Sequence, residues 1–317
     1  MADRETGVND GLYVAAMGPA LDLFPDAEEV DVADDAGAST TAIVKPSSLR
    51  PFWTYYGGKW KVGPRYPVPL HDTIIEPFAG AAGYSLRYFD RKIILIEKDP
   101  VVAGLWRYLL RVSPEEVLAL PDLAEGQTVD DIAVPQEARW LIGWWLNKGA
   151  AQPHKSPSKW MRFALTGAYK ASGGSGASNW WGPEIRQRIA SQIERVRHWQ
   201  IIEGSYEDAP DVEATWFVDP PYQEQGKYYR HGAKGLDFTA LGSWCRLRRE
   251  HVIVCEQEGA TWLPFRFFAD VKAGEGTRGR KRSREAIWTK GCVAGEVPEV
   301  PAVFDRTRQM SLFGLRA

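Results

Sequence analysis

The sequence predicts an α/β protein built on a doubly wound sheet, and three observations predict it. Two short apolar runs, 72–76 and 93–97, each end in an acid and flank a turn of small residues. A third apolar run, 215–218, stops against two consecutive prolines. Between these runs lie stretches long enough for the crossover helices that parallel strands require.

Asp72–Glu76 (DTIIE) reads as the first strand, leading into Pro77-Phe78-Ala79-Gly80-Ala81-Ala82-Gly83. A helix is expected over Tyr84–Phe89, a second strand over Ile93–Glu97 (IILIE) and a second helix over Val101–Arg111. This strand, glycine turn, helix, strand order opens a doubly wound sheet. Residues 114–200 break the alternation. They read as helical, hold seven tryptophans and are interrupted by Ser172–Asn179 (SGGSGASN). Trp140, Trp144 and Trp145 fall at helical spacing, which marks core residues. Sheet texture returns at Trp199–Glu203, Thr215–Val218 and His251–Cys255, with a last strand around Ala286–Thr289 after the basic loop Thr277–Arg284.

The totals narrow the class. Hydrophobic residues at 44% and charged residues at 25% are ordinary for a globular chain. No apolar run reaches the roughly 18 residues a membrane span needs, and the first residues lack a signal-peptide pattern. Cys245, Cys255 and Cys292 form no CxxC pair, so neither a zinc site nor a disulfide framework is expected. The net charge of −2 is unevenly spread. Residues 1–45 hold ten acids and two bases, and 139–200 hold ten bases and two acids. The acidic segment reads as disordered, with a docking segment around Leu21–Phe24 as the alternative. The basic block points to a nucleic-acid partner.

Two motifs carry chemistry. The turn Glu76–Gly83 lets a ligand approach the backbone closely, and Glu97, at the end of the next strand, can take both hydroxyls of a ribose. With no GxGxxG and no P-loop lysine, the pair suits an adenosine-containing ligand other than a dinucleotide or a triphosphate. A plain tight connection and a solvated acid remain the alternative. The sharper motif is Asp219-Pro220-Pro221-Tyr222. The prolines force the chain out of the sheet and leave Asp219 at the strand's C-terminal edge, where open α/β sheets bind ligands. The exocyclic amine of adenine is a poor nucleophile because its lone pair is delocalised. Asp219 accepting one N–H, and the Pro220 carbonyl the other, would draw the nitrogen toward a nucleophilic form, with Tyr222 stacked on the base.

In this order the motifs resemble the Dam-like class of adenine-specific DNA methyltransferases: a GGK segment (Phe52-Trp53-Thr54-Tyr55-Tyr56-Gly57-Gly58-Lys59), the glycine turn, a target-recognition insert, then DPPY. Tyr55 stands where the family often has tryptophan, and Ser205 in Gly204-Ser205-Tyr206 where it often has an acid. Leu146-Asn147-Lys148 is a looser match, and Glu285-Ala286-Ile287-Trp288 is similar to the family's final strand. The likeness spans roughly 50–120 and 199–290 and is poor through 121–198.

The resemblance implies a Rossmann-like, S-adenosylmethionine-dependent catalytic domain over 46–120 and 199–300, interrupted by a mainly helical recognition domain over 121–198. It implies catalysis by Asp219, Pro220, Pro221 and Tyr222, without a metal. It also implies a donor site of Tyr55, Lys59, Glu76, Phe78, Gly80, Ala81, Gly83, Glu97, Tyr206 and Asp219. The expected substrate is a flipped-out adenine in double-stranded DNA. Lys148, Lys155, Lys159, Arg162 and Lys170 are the expected phosphate contacts and Asn179 a base reader, with Arg278 and Arg280 as further DNA contacts. Cytosine-N4 or RNA methylation, and a silent DNA-binding scaffold, are the competing readings.

In the tail, 301–317, Gln309-Met310-Ser311-Leu312-Phe313 is similar to the peptide by which bacterial proteins dock on the replication sliding clamp. Gln309, Leu312 and Phe313 would be its anchors. The expected setting is the cytoplasm of a bacterium, or of a phage-infected one, at the nucleoid, with the protein acting as a monomer.

Overall fold

The computed structural model describes residues 48–147, 149–164, 180–224, 229–272 and 282–291. Seven strands form one sheet in the order β3-β2-β1-β4-β5-β7-β6. They are β1 Thr73–Glu76, β2 Lys92–Glu97, β3 Gln200–Glu203, β4 Thr215–Val218, β5 His251–Gln257, β6 Arg266–Lys272 and β7 Arg282–Lys290. β1 to β5 pair in parallel, and β7 runs antiparallel between β5 and β6. The order through β5 is that of a doubly wound sheet, while the reversed β7 departs from the dinucleotide-binding order. The chain leaves β1 for one edge and returns to β4 beside it, so the order reverses between β1 and β4.

The central strands are apolar throughout because both faces are covered. Ile74, Ile93, Leu95, Phe217 and Ile253 point to one core layer, and Ile75, Ile94, Trp216, Val218 and Val252 to the other. Each fully buried side chain of this size contributes about 1.5–3 kcal/mol.

The helices start where local chemistry allows. α1 (Pro100–Leu109) begins with Asp99, whose Oδ1 accepts the Val101 N–H at 2.9 Å, and with proline in its first turn. α2 spans Pro114–Leu118 behind a Ser113 capping box. α3 is Gln136–Leu146, α4 Lys159–Ala164 and α5 Pro183–Ile193. α6 (Phe238–Leu247) is capped by Asp237, which accepts from Thr239 and Ala240 N–H.

Some expectations shift. Tyr84–Phe89 yields only a 3₁₀ turn, Ser85–Arg87, whose first N–H is taken by Glu76 Oε1 (2.7 Å). β6 and α6 lie in stretches read without structure. β6 (RFFADVK) alternates imperfectly because its register shifts between Phe267 and Ala269.

The described part of 121–198 shares the core of the sheet. Trp144 and Trp145 of α3 and Ile185 and Ile189 of α5 belong to one buried cluster with Phe52, Trp53, Trp106 and Phe217. Trp140 is only partly buried, packed on that cluster, with its ring 2.8 Å from where a Cβ on Gly104 would lie. Among the described residues, no helix is long and apolar enough to cross a membrane.

Trp145 shows how tightly these parts are joined. Its indole N–H donates to the Phe52 carbonyl at 3.0 Å, and it is fully buried. Trp145→Ala is expected to cost about 3–5 kcal/mol, read as a lower urea midpoint with circular dichroism and tryptophan fluorescence falling in one shared transition.

Candidate functional site

The reversal of strand order opens a cleft of about 1000 Å³ at the C-terminal ends of β1, β2 and β4. All ten residues expected at the donor site line it, together with Pro221. The three segments that resemble known motifs are thus gathered around one space.

Backbone contact does the gathering. A Cβ on Gly83 would lie 2.6 Å from Trp60 N and 3.0 Å from Lys59 N. Only glycine permits the turn after β1 to press this closely on the GGK segment. Gly80, at φ +46°, turns under the Tyr55 ring, 3.0 Å from where its Cβ would be. Its carbonyl accepts the Trp106 indole N–H (2.8 Å), which ties the turn to α1.

Glu97 closes one end of the cleft. Its Oε2 accepts the Gly80 N–H (3.0 Å) and its Oε1 the Asp99 N–H (2.9 Å). The Lys98 backbone N–H also bonds to this carboxylate, which leaves it lone-pair capacity for one further donor. Burial pushes its carboxyl up to about 7, against the pull of the Asp99 and Gly80 N–H groups. Beside it, Phe78 and Tyr206 stack with centroids 5.8 Å apart. Ser205 N–H donates to Asp208 Oδ2 (2.7 Å). Glu76 is 2% exposed. Burial raises its carboxyl to about 8, partly offset by its bonds from Ser85.

Asp219 closes the other end. Lys59 Nζ lies 2.9 Å from Asp219 Oδ1, donates to the Gly57 carbonyl at 2.8 Å and sits 4.8 Å from the centroid of the Tyr222 ring. Burial raises the Asp219 carboxyl to about 6, against the pull of the Lys59 ammonium beside it. The Asp219 charge in turn raises the Lys59 ammonium despite burial, so Lys59 stays a cation and has no free pair to act as a base. Tyr222 is outside the cleft lining, its hydroxyl donating to Glu285 of β7.

Other participants escaped the sequence. Tyr229 donates to the Tyr56 carbonyl (3.0 Å) and its ring lies 6.0 Å from that of Tyr55. Asp99 Oδ2 accepts from Gln152 (3.0 Å) and lies 3.5 Å from Arg230 Nε. Glu256, fully buried, accepts from the Trp262 indole and the Gln257 N–H, each at 2.9 Å, and from the Gln223 backbone. Asp99-Pro100 carried a helix-start signal; Tyr229 had none, because its partner Tyr56 lies 173 residues away.

Among the described residues, the expected DNA contacts Lys155, Lys159 and Arg162 are not part of the cleft lining. Lys155 pairs with Asp130 (2.7 Å), Arg162 donates to the Pro157 carbonyl (2.6 Å), and Lys159 is exposed in the first turn of α4. Lys148, Lys170, Asn179, Arg278 and Arg280 are outside the described residues, as are Gln309, Leu312 and Phe313.

Compared with known proteins, the chain matches no family model and no curated protein. The chemistry therefore rests on the site. Seven carboxylate residues line the cleft against four lysines and arginines, a balance that favours a cationic ligand over a phosphate-bearing one.

Glu76 gives a direct test of this burial. Its folded pKa, about 8, exceeds the unfolded value, so the native state holds the extra proton. The stability this contributes is complete below the unfolded pKa and is lost as pH rises through about 8. Glu76→Gln, which keeps an acceptor for Ser85, is expected to show a flatter fall in urea midpoint between pH 5 and pH 8.5 than the parent protein.

Proposed function

We propose that the protein transfers a methyl group from S-adenosylmethionine to the N6 amine of adenine in double-stranded DNA. The observation that carries this reading is the position of Asp219. It leaves β4 at the reversal of strand order, paired with Lys59, and shares one cleft with Glu97 and the Gly80 turn.

The residues present fit the donor. Its ribose suits Glu97, its adenine the Phe78–Tyr206 wall, and its positive charge the carboxylate-rich cleft. When bound it supplies an electrophilic methyl on a good leaving group. Asp219 accepts one N–H of the target amine and the Pro220 carbonyl the other. The nitrogen lone pair is thereby withdrawn from the ring and aimed along the line of transfer. Lys59 keeps Asp219 ionised by its charge and holds it in place. The proton released from the methylated nitrogen goes to Asp219 or to water. Orientation and fixed charge supply the acceleration.

Access to a base inside a duplex requires its extrusion, at a cost of a few kcal/mol. Stacking on Tyr222 returns on the order of 1–3 kcal/mol. Lys148, Lys155, Lys159, Arg162 and Lys170 supply phosphate contacts, and the 309–313 peptide a tether to the sliding clamp, lost on deleting 309–317.

Purified protein is incubated with unmethylated duplex DNA and the donor, and the digested DNA is quantified for methylated nucleosides by mass spectrometry. N6-methyladenine is expected, with Asp219→Ala reducing it at least about a hundredfold. Because Asp219 must be ionised, the rate is expected to fall below about pH 6. N4-methylcytosine instead would replace the substrate base, and absence of any methylated base would reject the reading.

A further inference from the structure

Tyr222 sits beyond the end of β4, in backbone that no strand ladder holds. Its hydroxyl reaches across to Glu285 Oε2 on β7. Glu285 is 7% exposed, and its other oxygen accepts from Ser283 Oγ at 3.2 Å.

The two ends of this bond differ in what else secures them. Glu285 is paired with Gln257 of β5 on one side and Ala269 of β6 on the other. Its strand keeps its place without Tyr222. The tyrosine ring is set by packing, by this bond and by the pull of the Asp219 carboxylate on the same hydroxyl. That plane matters, because the Lys59 ammonium that pairs with Asp219 also lies over the ring.

The sheet is irregular at this point. The register of β6 slips between Phe267 and Ala269, directly opposite Glu285 and Ala286. Phe268, in the slip, is buried and stacks on Tyr66 at 4.6 Å, and Tyr66 packs on Phe217, two residues before Asp219. Bulges beside sites re-aim side chains in this way. Here the bulge seats Phe268 under the site while Glu285 faces Tyr222.

We propose that Glu285 is a positioning residue: its carboxylate holds the Tyr222 hydroxyl and fixes the ring plane on which the target base stacks. The assignment rests on the methyl-transfer reading. Glu285 touches neither donor nor amine; it acts through the tyrosine.

The test is single-turnover methylation of unmethylated plasmid DNA by the full-length protein, with donor affinity measured separately by calorimetry. Glu285→Ala and Tyr222→Phe, which keeps the ring but not the hydroxyl, are each expected to slow transfer roughly ten- to a hundredfold. The double variant should be no slower than Tyr222→Phe alone, since that variant already lacks the bond that Glu285 accepts, along with the hydroxyl's contact to Asp219. Donor affinity should stay at the parental value, and Glu285→Gln, which keeps an acceptor oxygen, should recover most of the rate.

Losses that multiply in the double variant, or a Glu285→Ala loss matched by weaker donor binding, would overturn the assignment in favour of a brace for the fold. If Glu285→Ala does not fold, Glu285→Asp, whose carboxylate falls one methylene short of the hydroxyl, takes its place: slowed transfer at parental donor affinity sustains the assignment, and an unchanged rate in it or in Tyr222→Phe overturns it. A parent protein that binds the donor yet methylates nothing removes the reading beneath it, an outcome distinct from an active parent with indifferent variants.

Discussion

The absence of a side chain at Gly83 is the constraint on which the site depends. The turn after β1 and the GGK segment cross with backbone atoms where a Cβ would have to be. Because they cross there, Lys59 enters the cleft from the β1 side and meets Asp219 coming off β4. Gly80 makes the same accommodation for the Tyr55 ring. Two missing methyl groups let segments about 25 residues apart press together, and the lysine so placed meets an aspartate 160 residues further along the chain.

The charge arrangement follows from that crossing. One ammonium is buried among carboxylates, and it is held by the acid at the centre of the site. Without Lys59, burial would leave Asp219 with a proton over more of the neutral range, and a protonated acid is a poorer acceptor. The lysine is therefore an electrostatic support for the aspartate. Removing either partner would strand the other in a poorly solvated place, a cost larger than the bond itself.

What the sequence made legible was local. The prolines after WFV placed Asp219 at a strand edge, and the structure has β4 end at Val218. The small residues after DTIIE marked a close approach, and the acid of IILIE came to rest on the Gly80 N–H. The helical spacing of Trp144 and Trp145 marked them as core. Long-range relations were not legible. Nothing near Glu285 says that a tyrosine 63 residues earlier will reach it, and the bulge that disturbs β6 also blurs the alternation by which the strand would have been read. A separate unit over 121–198 was expected from a change of texture. The described residues there pack into the sheet's own core, a contact that composition cannot reveal.

The buried acids of the cleft have a thermodynamic consequence for any cation that arrives. Glu76 and Glu97, at about 8 and about 7, are partly protonated near neutrality. A positive charge placed among them lowers their proton affinity, so association expels protons to the solvent. The heat of association then includes the ionisation heat of whatever buffer takes up those protons. Measured in two buffers of different ionisation enthalpy, one and the same binding event would show two enthalpies, and their difference would count the protons released.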